Sequence, residues 1–264
     1  MSKNAAQKPP LILASASPRR KEILEAHGYR PIVIPADVDE TVPEDEDFTP
    51  YETAVYLAEL KATAILETLG TEDWPDGCTI LGVDTIVYKD RIIGKPVDEA
   101  DALGILRSLK NGSHEVISGV CIIRAFPEPS ALKSPVANVS SQTPSSALQH
   151  ETPTTFQQPA VSQPQGSTRR HSISPAQDQS ARAQTQAQFP ALVVTEKTLF
   201  SDTTTVRFGD YSDGEILAYI RSNPPYDKSG SYAIQSDWGR HVLKVDGDIE
   251  NVIGLPFQKL SEYL

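Results

Sequence analysis

Three cations follow a short apolar segment near the beginning of the chain. The segment "LILA" is followed by "SASP", and Arg19, Arg20 and Lys21 come next, in the first turn of a helix predicted to begin at Pro18. The positive end of a helix dipole disfavours cations there. The same turn exposes backbone N–H groups, and the small side chain of Ser15 lets a ligand approach them. Arg19 and Arg20 are therefore either phosphate ligands, which suits their forked donors, or side chains that point into solvent.

A second candidate is a lysine in the apolar stripe of the longest predicted helix. A helical wheel over residues 49–70 places Lys61 between Leu57 and Ala54, inside the apolar arc. A buried ammonium needs an anion, so Lys61 is expected to meet a carboxylate or a ligand. The alternative is that its long stem carries the charge to the surface.

A third candidate is the aspartate in the apolar segment "ILGVDTIVY". Aspartate is uncommon in strands, and the neighbours of Asp84 are apolar. A hairpin turning at residues 89–91 would bring Lys95 within about a residue of the position opposite Asp84. A carboxylate and a lysine side by side suit a metal-and-phosphate site, although a structural ion pair explains the pattern equally well.

The last candidate follows the loop "PPYDKSGSYAI". Gln235 is predicted on a strand there, and its amide could read the edge of a nucleobase. The chain has neither a GxxxxGK[ST] nor a GxGxxG motif, so it is not predicted to contain a P-loop or a dinucleotide fold. Cys78 has no evident basic partner and is predicted to be unreactive.

The elements that would position these residues alternate between strands and helices. Strands are predicted over "LILA", "PIVIP", "TILGVDTIVY", "HEVISGVCIIR" and "TTTVRF". Helices are predicted to begin at Ser17, Thr49, Asp98 and Ser212, each a good N-cap residue. This order predicts an α/β fold, a mixed sheet with helices on its faces.

Composition limits the classes of function. The chain has 264 residues with a net charge of −11, which argues against a nucleic-acid-binding surface. It has no apolar run long enough to span a membrane, and "MSKNAAQKPP" lacks the core of a signal peptide. With only two cysteines and no disulfide framework, we expect a cytoplasmic protein.

The domain organisation follows from a change in composition. Residues 126–191 are rich in Ser, Thr, Pro and Gln and have no apolar periodicity, which predicts a disordered insert. Residues 11–125 and 192–264 are predicted to form one domain around it, and residues 1–10 a flexible N-terminus.

Eight segments resemble, in order, the motifs of the Maf family of nucleoside triphosphate pyrophosphatases. They are "LILASASPRRKEIL", "VDET", "AELKA", "GVDTIV", "GKP", "LKNGSHEVISGV", "YDKSGSYAIQ" and "NVIGLP". The resemblance implies an elongated mixed sheet in two lobes around a central cleft, related to the inosine triphosphatases. It also implies Mg²⁺- or Mn²⁺-dependent hydrolysis of a nucleoside triphosphate to its monophosphate and pyrophosphate. The expected partners are this substrate and a second copy of the chain in a homodimer, with no nucleic acid or membrane.

The resemblance also implies roles for individual residues. Ser15, Arg19 and Arg20 match the phosphate-binding turn of the family, and Gln235 matches its base-side glutamine. Glu40, Lys61, Asp84 and Lys95 match its polar catalytic set. Asp84 would be the general base or a metal ligand, with Glu40 as a second metal ligand.

The resemblance is strongest to the branch of the family that acts on dTTP and UTP. Ser229, Ser231 and Ser236 depart from the usual pattern beside the base, which leaves specificity open. The alternative function is a regulatory module that binds a nucleotide and uses the insert to bind a partner. Glu40 and Asp84 favour the enzyme, because a module that only binds would not need them.

Overall fold

The computed structural model describes residues 9–43, 47–128 and 192–264. The strands are β1 (Leu11–Leu13), β2 (Ile32–Val33), β3 (Cys78–Lys89), β4 (Arg91–Ile93), β5 (Ser113–Pro127), β6 (Leu192–Phe208) and β7 (Val242–Asp246). The α-helices are α1 (Pro18–Ala26), α2 (Pro50–Thr68), α3 (Glu99–Leu109), α4 (Asp213–Ser222), α5 (Ile249–Ile253) and α6 (Phe257–Leu260). Most of residues 1–10 and of the predicted insert lie outside the described residues.

The seven strands form one mixed sheet, as predicted. Its order is β2-β1-β3-β5-β6-β7, and β4 pairs with β3. β1 runs parallel to β2 and β3, whereas the other pairs are antiparallel. The predicted hairpin between β3 and β4 turns at Asp90, whose φ is 59°.

Local sequence signals set the beginnings of most helices. Thr49 and Ser212 form complete capping boxes at α2 and α4, and the side chain of Asp98 accepts a hydrogen bond from the N–H of Asp101 at α3. Ser17 occupies the N-cap of α1 as predicted, but its side chain makes no capping hydrogen bond. The first turn of α1 is therefore left without a side-chain cap.

One part of the prediction about the C-terminal region is wrong. Gln235 lies in a turn, not on a strand, because the N–H of Ser236 donates to the carbonyl of Ala233 at 3.1 Å and closes the chain back on itself. The side chain of Ser236 then accepts from the N–H of Trp238, beginning a short 3₁₀ helix. β5 also continues through Phe126 and Pro127, two residues into the segment predicted as the insert.

The sheet carries helices on both faces. On one face α2 packs against residues such as Ile12, Ile80 and Ile123. On the other face, side chains of α1 and α6 pack against Leu13 and Leu81. A third apolar cluster joins α3 and α4 to the ends of β3, β5 and β6. No helix in the described ranges is both long and apolar enough to cross a membrane.

Two glycines bring α2 unusually close to the sheet. A Cβ atom at Gly82 on β3 would lie 2.1 Å from the carbonyl oxygen of Ala58, and one at Gly119 on β5 would lie 2.1 Å from that of Ala54. Any larger residue would push the helix outward. The contact fixes α2 directly above the part of β3 that carries Asp84, which pairs with Gly119 across the strands.

The edge of β3 is open where the functional candidates lie. β5 pairs with one edge of β3 from Cys78 to Tyr88. On the other edge, β1 pairs with residues 79–81 and β4 with residues 87–89. In the described part of the chain, no strand pairs with that edge between them. Asp84 and Thr85 lie in this unpaired stretch of β3, and their side chains point to opposite faces of the sheet. Both residues therefore border the gap at the carboxyl end of β1.

Both cysteines are buried on the sheet. Burial raises the pKa of Cys78 to about 11 and, as the main cause, that of Cys121 to about 12. Both thiols are therefore protonated at neutral pH. This agrees with the prediction that Cys78 is unreactive.

A buried histidine makes the stability depend on pH. His114 on β5 is 2% exposed, and burial, with the nearby charge of Lys89, lowers its pKa from 6.5 to about 4. Between these values the unfolded chain binds a proton that the folded chain does not. The folded state therefore loses stability as the pH falls from 6.5 towards 4, by about 3 kcal/mol in total. Urea unfolding over this range should show the loss, and His114→Gln should have a flatter profile. Parallel profiles for the two proteins would contradict the prediction.

Candidate active site

A cavity of about 340 Å³ opens at the gap in the edge of β3. It extends from the turn between β1 and α1 to the segment between α4 and β7. The residues predicted for the site all line it: Ser15, Arg19, Arg20, Glu40, Lys61, Asp84, Lys95 and Gln235. The structure thus brings together side chains that lie far apart in the sequence, while their individual roles remain predictions.

The ammonium group of Lys61 lies between two carboxylates. Its Nζ atom is 2.5 Å from Oδ1 of Asp84 and 3.0 Å from Oε1 of Glu40. Lys61 is 8% exposed, as is Asp84, so this pair is buried. Of the two alternatives for Lys61, the structure therefore gives the one in which the lysine meets carboxylates rather than solvent.

The partner of Asp84 differs from the one that the hairpin suggested. Lys95 does not pair with Asp84, because the pairing of β4 with β3 ends at Ile93 and the chain then leaves the sheet. Lys95 nevertheless lines the cavity. Within residues 9–43, 47–128 and 192–264 it makes neither a hydrogen bond nor an ion pair, so its charge is available to a ligand.

Glu40 is held ionised by the surrounding cations. Its partial burial alone would raise the pKa of the carboxyl group. The hydrogen bond and charge of Lys61 outweigh this, with help from the charges of Lys95 and Arg20, and the pKa ends below its ordinary value. Glu40 is therefore an anion at neutral pH.

Arg20 is a buried linker between three parts of the chain. Its Nε atom donates to the carbonyl of Gly254 at 2.8 Å, Nη1 to Oγ of Ser15 at 2.8 Å, and Nη2 to Oγ1 of Thr85 at 3.1 Å. Burial lowers the pKa of Arg20, and the charge of Asp84 opposes this effect. Arg20 thus fixes the turn after β1 to β3 and to the end of α5, and does not point into solvent.

Arg19 has a partner outside this network. Its Nη1 atom is 3.3 Å from Oδ2 of Asp227, which also pairs with Lys228. Burial alone would raise the pKa of Asp227. The hydrogen bonds from Lys228 and Arg19 outweigh this effect and bring the pKa below its ordinary value, so the carboxylate is ionised. Arg19 is half-buried, and its side chain has no other hydrogen bond or ion pair with the residues that the structure describes, so most of its donors remain free for a ligand.

The cavity is locally cationic in an acidic chain. Five cations line it, namely Arg19, Arg20, Lys61, Lys95 and Lys228. Three carboxylates line it, namely Glu40, Asp84 and Asp227. The chain as a whole carries −11. A positive excess in a concave site attracts an anionic ligand and raises its local concentration.

Sequence reasoning assigned no role in the site to three residues that the structure places there. Thr85 and Gly254 hold the guanidinium of Arg20, and Tyr232 forms part of the cavity wall. For Gly254, the residue type was the one local indication of a special position, because its φ of 132° strongly favours glycine. Thr85 belongs to the segment "GVDTIV" that carries the family resemblance, but no contact with Arg20 could be predicted from it. Tyr232 has a residue type that is ordinary in cores, and no local pattern distinguishes it.

A mixed sheet whose first strand leads through a small-residue turn into a cation-rich cavity is typical of phosphate-binding α/β proteins. Comparison with known families is more specific. The family model described as "Maf-like protein" matches residues 10–155 and 172–264. The chain belongs to the Maf family.

Several curated relatives match over almost the whole chain. A dTTP/UTP pyrophosphatase of Exiguobacterium sibiricum is 30% identical over 97% of this chain and 91% of its own length. A dTTP/UTP pyrophosphatase of Caldicellulosiruptor saccharolyticus is 31% identical, over 96% and 92% respectively. One of Bacillus cereus is 30% identical, over 96% and 93%.

Proposed function

We propose that this chain is a nucleoside triphosphate pyrophosphatase that hydrolyses dTTP and UTP to the monophosphate and pyrophosphate. The observation that carries the proposal is the cavity in which Arg19, Lys61 and Lys95 converge beside the carboxylate of Asp84. The names of the curated relatives support the same substrates. Modified pyrimidine nucleotides share the triphosphate and belong to the same class of candidate substrates.

The reaction is a single displacement at the α-phosphorus. The oxygen of a water molecule forms a bond to that phosphorus, the bond from the phosphorus to the bridging oxygen breaks, and pyrophosphate leaves with this oxygen. Lys61 binds Oδ1 of Asp84, and no described residue donates a hydrogen bond to Oδ2. Oδ2 is therefore the atom available either to take the proton of the attacking water as general base or to bind a metal ion.

The cations supply charge stabilisation. Negative charge accumulates on the leaving pyrophosphate as the bond breaks, and pre-positioned donors in a shielded site are most effective at that stage. Arg19 and Lys95 have free donors for the phosphate oxygens. Lys61 contacts both Glu40 and Asp84, and its positive charge offsets the repulsion between the two carboxylates.

Glu40 and Asp84 fit a divalent cation of the Mg²⁺ or Mn²⁺ kind. Both offer hard carboxylate oxygens, and Mg²⁺ in such sites is commonly held by one or two carboxylates plus substrate phosphates. The described residues contain no group of three or more His, Cys, Asp or Glu side chains that could hold a metal by themselves. The two carboxylates would therefore hold the ion together with the triphosphate. When bound, the ion would polarise the phosphate oxygens and lower the pKa of a nearby water.

Other residues of the lining are suited to a base. Gln235 lines the cavity, and its amide has both a donor and an acceptor for a pyrimidine edge. Val87, Val116 and Tyr232 belong to one apolar cluster and also line the cavity. The lining thus offers charged groups for a triphosphate and apolar groups for a base.

A panel of triphosphates tests the proposal. The purified chain, with Mg²⁺ or Mn²⁺, is expected to release pyrophosphate from dTTP and UTP. In ¹⁸O-labelled water the label should enter the monophosphate, which places the attack at the α-phosphorus, whereas label in pyrophosphate would place it at the β-phosphorus. Tight binding of dTTP without product would instead support the regulatory module.

We also propose that residues 11–125 and 192–264 are one catalytic domain and that residues 128–188 are dispensable. Pro127 lies opposite Leu192 at the end of the β5–β6 pair. Deleting residues 128–188 leaves three residues, 189–191, to join them, and three-residue hairpin loops are common. The shortened chain is expected to hydrolyse dTTP with kcat/KM within about twofold of the full chain.

A longer deletion is the control for this experiment. Removing residues 124–188 also removes Arg124, which donates to the carbonyl of Tyr263 at 2.6 Å. This variant should be less stable than the full chain. A shortened chain lacking only 128–188 that folds but does not turn over dTTP would contradict the proposal.

The proposed assembly follows from the family resemblance, and the proposed location follows from the small number of cysteines. We propose a homodimer in the cytoplasm with no nucleic-acid or membrane partner. Sedimentation velocity of the full chain measures the assembly, and a monomer at micromolar concentration would contradict it.

A further inference from the structure

Two buried tyrosines hold the segment that leads to Gln235. The hydroxyl of Tyr232 is 2.7 Å from Nε2 of His114 on β5. The hydroxyl of Tyr219 on α4 accepts a hydrogen bond from the N–H of Ala233 at 3.0 Å. Tyr232 and Ala233 both line the cavity. The wall beside Gln235 is therefore attached to the sheet at one residue and to α4 at the next.

Tyr232 occupies a special place in the cavity. It is the one aromatic side chain among the described residues that line it. Its neighbours in the lining include the apolar residues Val87 and Val116. Val116 follows His114 by two residues on β5, so both side chains point to the same face of the sheet. An aromatic ring in an apolar wall is the usual partner of a planar base.

His114 has a buried ring nitrogen without a partner. Nδ1 makes no hydrogen bond within the described residues, while Nε2 is bonded to Tyr232. The ring is neutral at pH 7, because burial, with the charge of Lys89, lowers its pKa to about 4. A neutral imidazole carries one N–H, so one of its nitrogens is a donor and the other an acceptor.

Either tautomer of His114 gives one hydrogen bond between the two side chains. The hydroxyl of Tyr232 donates to Nε2 when Nδ1 carries the ring hydrogen, and Nε2 donates to the hydroxyl oxygen when Nε2 carries it. In both cases the ring of Tyr232 is attached to β5.

We propose that His114, acting through Tyr232, is a positioning residue that sets the discrimination between bases. The bond fixes the ring of Tyr232 and, through the two residues that follow, the turn that carries Gln235. This inference rests on the proposed function. It concerns the choice of base and leaves the attack on the phosphorus to Asp84 and the cations.

Tyr232→Phe tests the proposal, because it removes only the hydroxyl. Values of kcat/KM are measured for dTTP, dCTP and methyl triphosphate, which has no base. The preference for dTTP over dCTP is expected to fall about tenfold, mainly through a higher KM for dTTP. The ratio of the dTTP value to the methyl triphosphate value should fall by a similar factor.

Tyr211→Phe is the matched control. Tyr211 belongs to the same apolar cluster, and its hydroxyl donates to the carbonyl of Leu106 at 2.7 Å, but it does not line the cavity. This variant removes a comparable buried hydrogen bond and should keep the base preference. His114→Leu should behave like Tyr232→Phe, and His114→Gln, whose amide offers both a donor and an acceptor, should restore part of the preference.

The outcomes separate this inference from the proposed function. An unchanged dTTP preference in Tyr232→Phe overturns the inference, as does an equal loss in Tyr211→Phe or an equal loss on methyl triphosphate. Absence of pyrophosphate release from every triphosphate by the unmodified chain overturns the proposed function instead. In that case the dissociation constants of dTTP and dCTP still measure the base preference of each variant.

Discussion

Replacement of Asp84 by asparagine is expected to abolish pyrophosphate release while the fold remains intact. The amide has nearly the shape of the carboxyl group, and its oxygen can still accept the hydrogen bond from Lys61. It cannot take a proton from water, and it is a much weaker ligand for a hard cation. Loss of a general base alone costs about 10²- to 10⁴-fold in rate. We therefore expect kcat for dTTP to fall by at least about 10³-fold.

The expected separation of activity from stability needs a matched control. Asp90→Asn changes the same residue type at the tip of the same hairpin, at an exposed position outside the cavity. Its φ of 59° is one that asparagine adopts readily. Both variants should show circular dichroism spectra like that of the unmodified chain, and only Asp84→Asn should lose turnover. Near-normal turnover in Asp84→Asn would remove Asp84 from any essential role.

The parts of the fold that were predictable are those determined by neighbours in the sequence. The capping boxes at Thr49 and Ser212 need only residues three positions apart, and the hairpin at Asp90 needs only two adjacent apolar runs. The turn at Gln235 escaped prediction although its hydrogen bonds are local. The residue types of the segment favour a strand. The chain turns instead, and the side chain of Ser236 caps the 3₁₀ helix that follows.

The buried ion pair shows where sequence reasoning stops. Lys61 in an apolar helix stripe and Asp84 in an apolar strand are each anomalous, and each indicates a missing partner. Nothing local says that they are partners of each other. The pairing depends on how close α2 lies to β3, which Gly82 and Gly119 allow, and the sequence shows these only as two glycines in strands.

The two arginines after "SASP" were equivalent in the sequence and differ in the structure. Adjacent residues on a helix point about 100° apart. Although both arginines line the cavity, one can therefore point into a buried network while the other keeps free donors. Which one does so depends on Gly254, which lies 234 positions from Arg20 along the chain. Only the folded chain distinguishes the buried linker from the residue with free donors.

This difference leads to the second large expected effect, in Arg20→Lys. The guanidinium of Arg20 donates to three acceptors in different directions, on Ser15, Thr85 and Gly254. A lysine ammonium is a point charge on a flexible stem and cannot reproduce this planar fork. Leaving a buried acceptor unsatisfied costs about 1–3 kcal/mol of unfolding free energy. The turn that carries Ser15 would also shift, and a displacement of about 1 Å at a site can cost about 10²-fold in rate. We therefore expect Arg20→Lys to lower both urea stability and kcat/KM for dTTP.

Arg19→Lys is the neighbouring control, since it makes the same substitution at a half-buried position with one ion pair, to Asp227. A partly exposed pair of this kind contributes about 0–1 kcal/mol, so the stability of this variant should hardly change. Its KM for dTTP should rise, because a forked phosphate donor is lost. The two variants thus separate positioning from binding: Arg20→Lys loses stability and activity together, and Arg19→Lys loses affinity alone. Equal stability of the two would show that the network of Arg20 does not hold the turn.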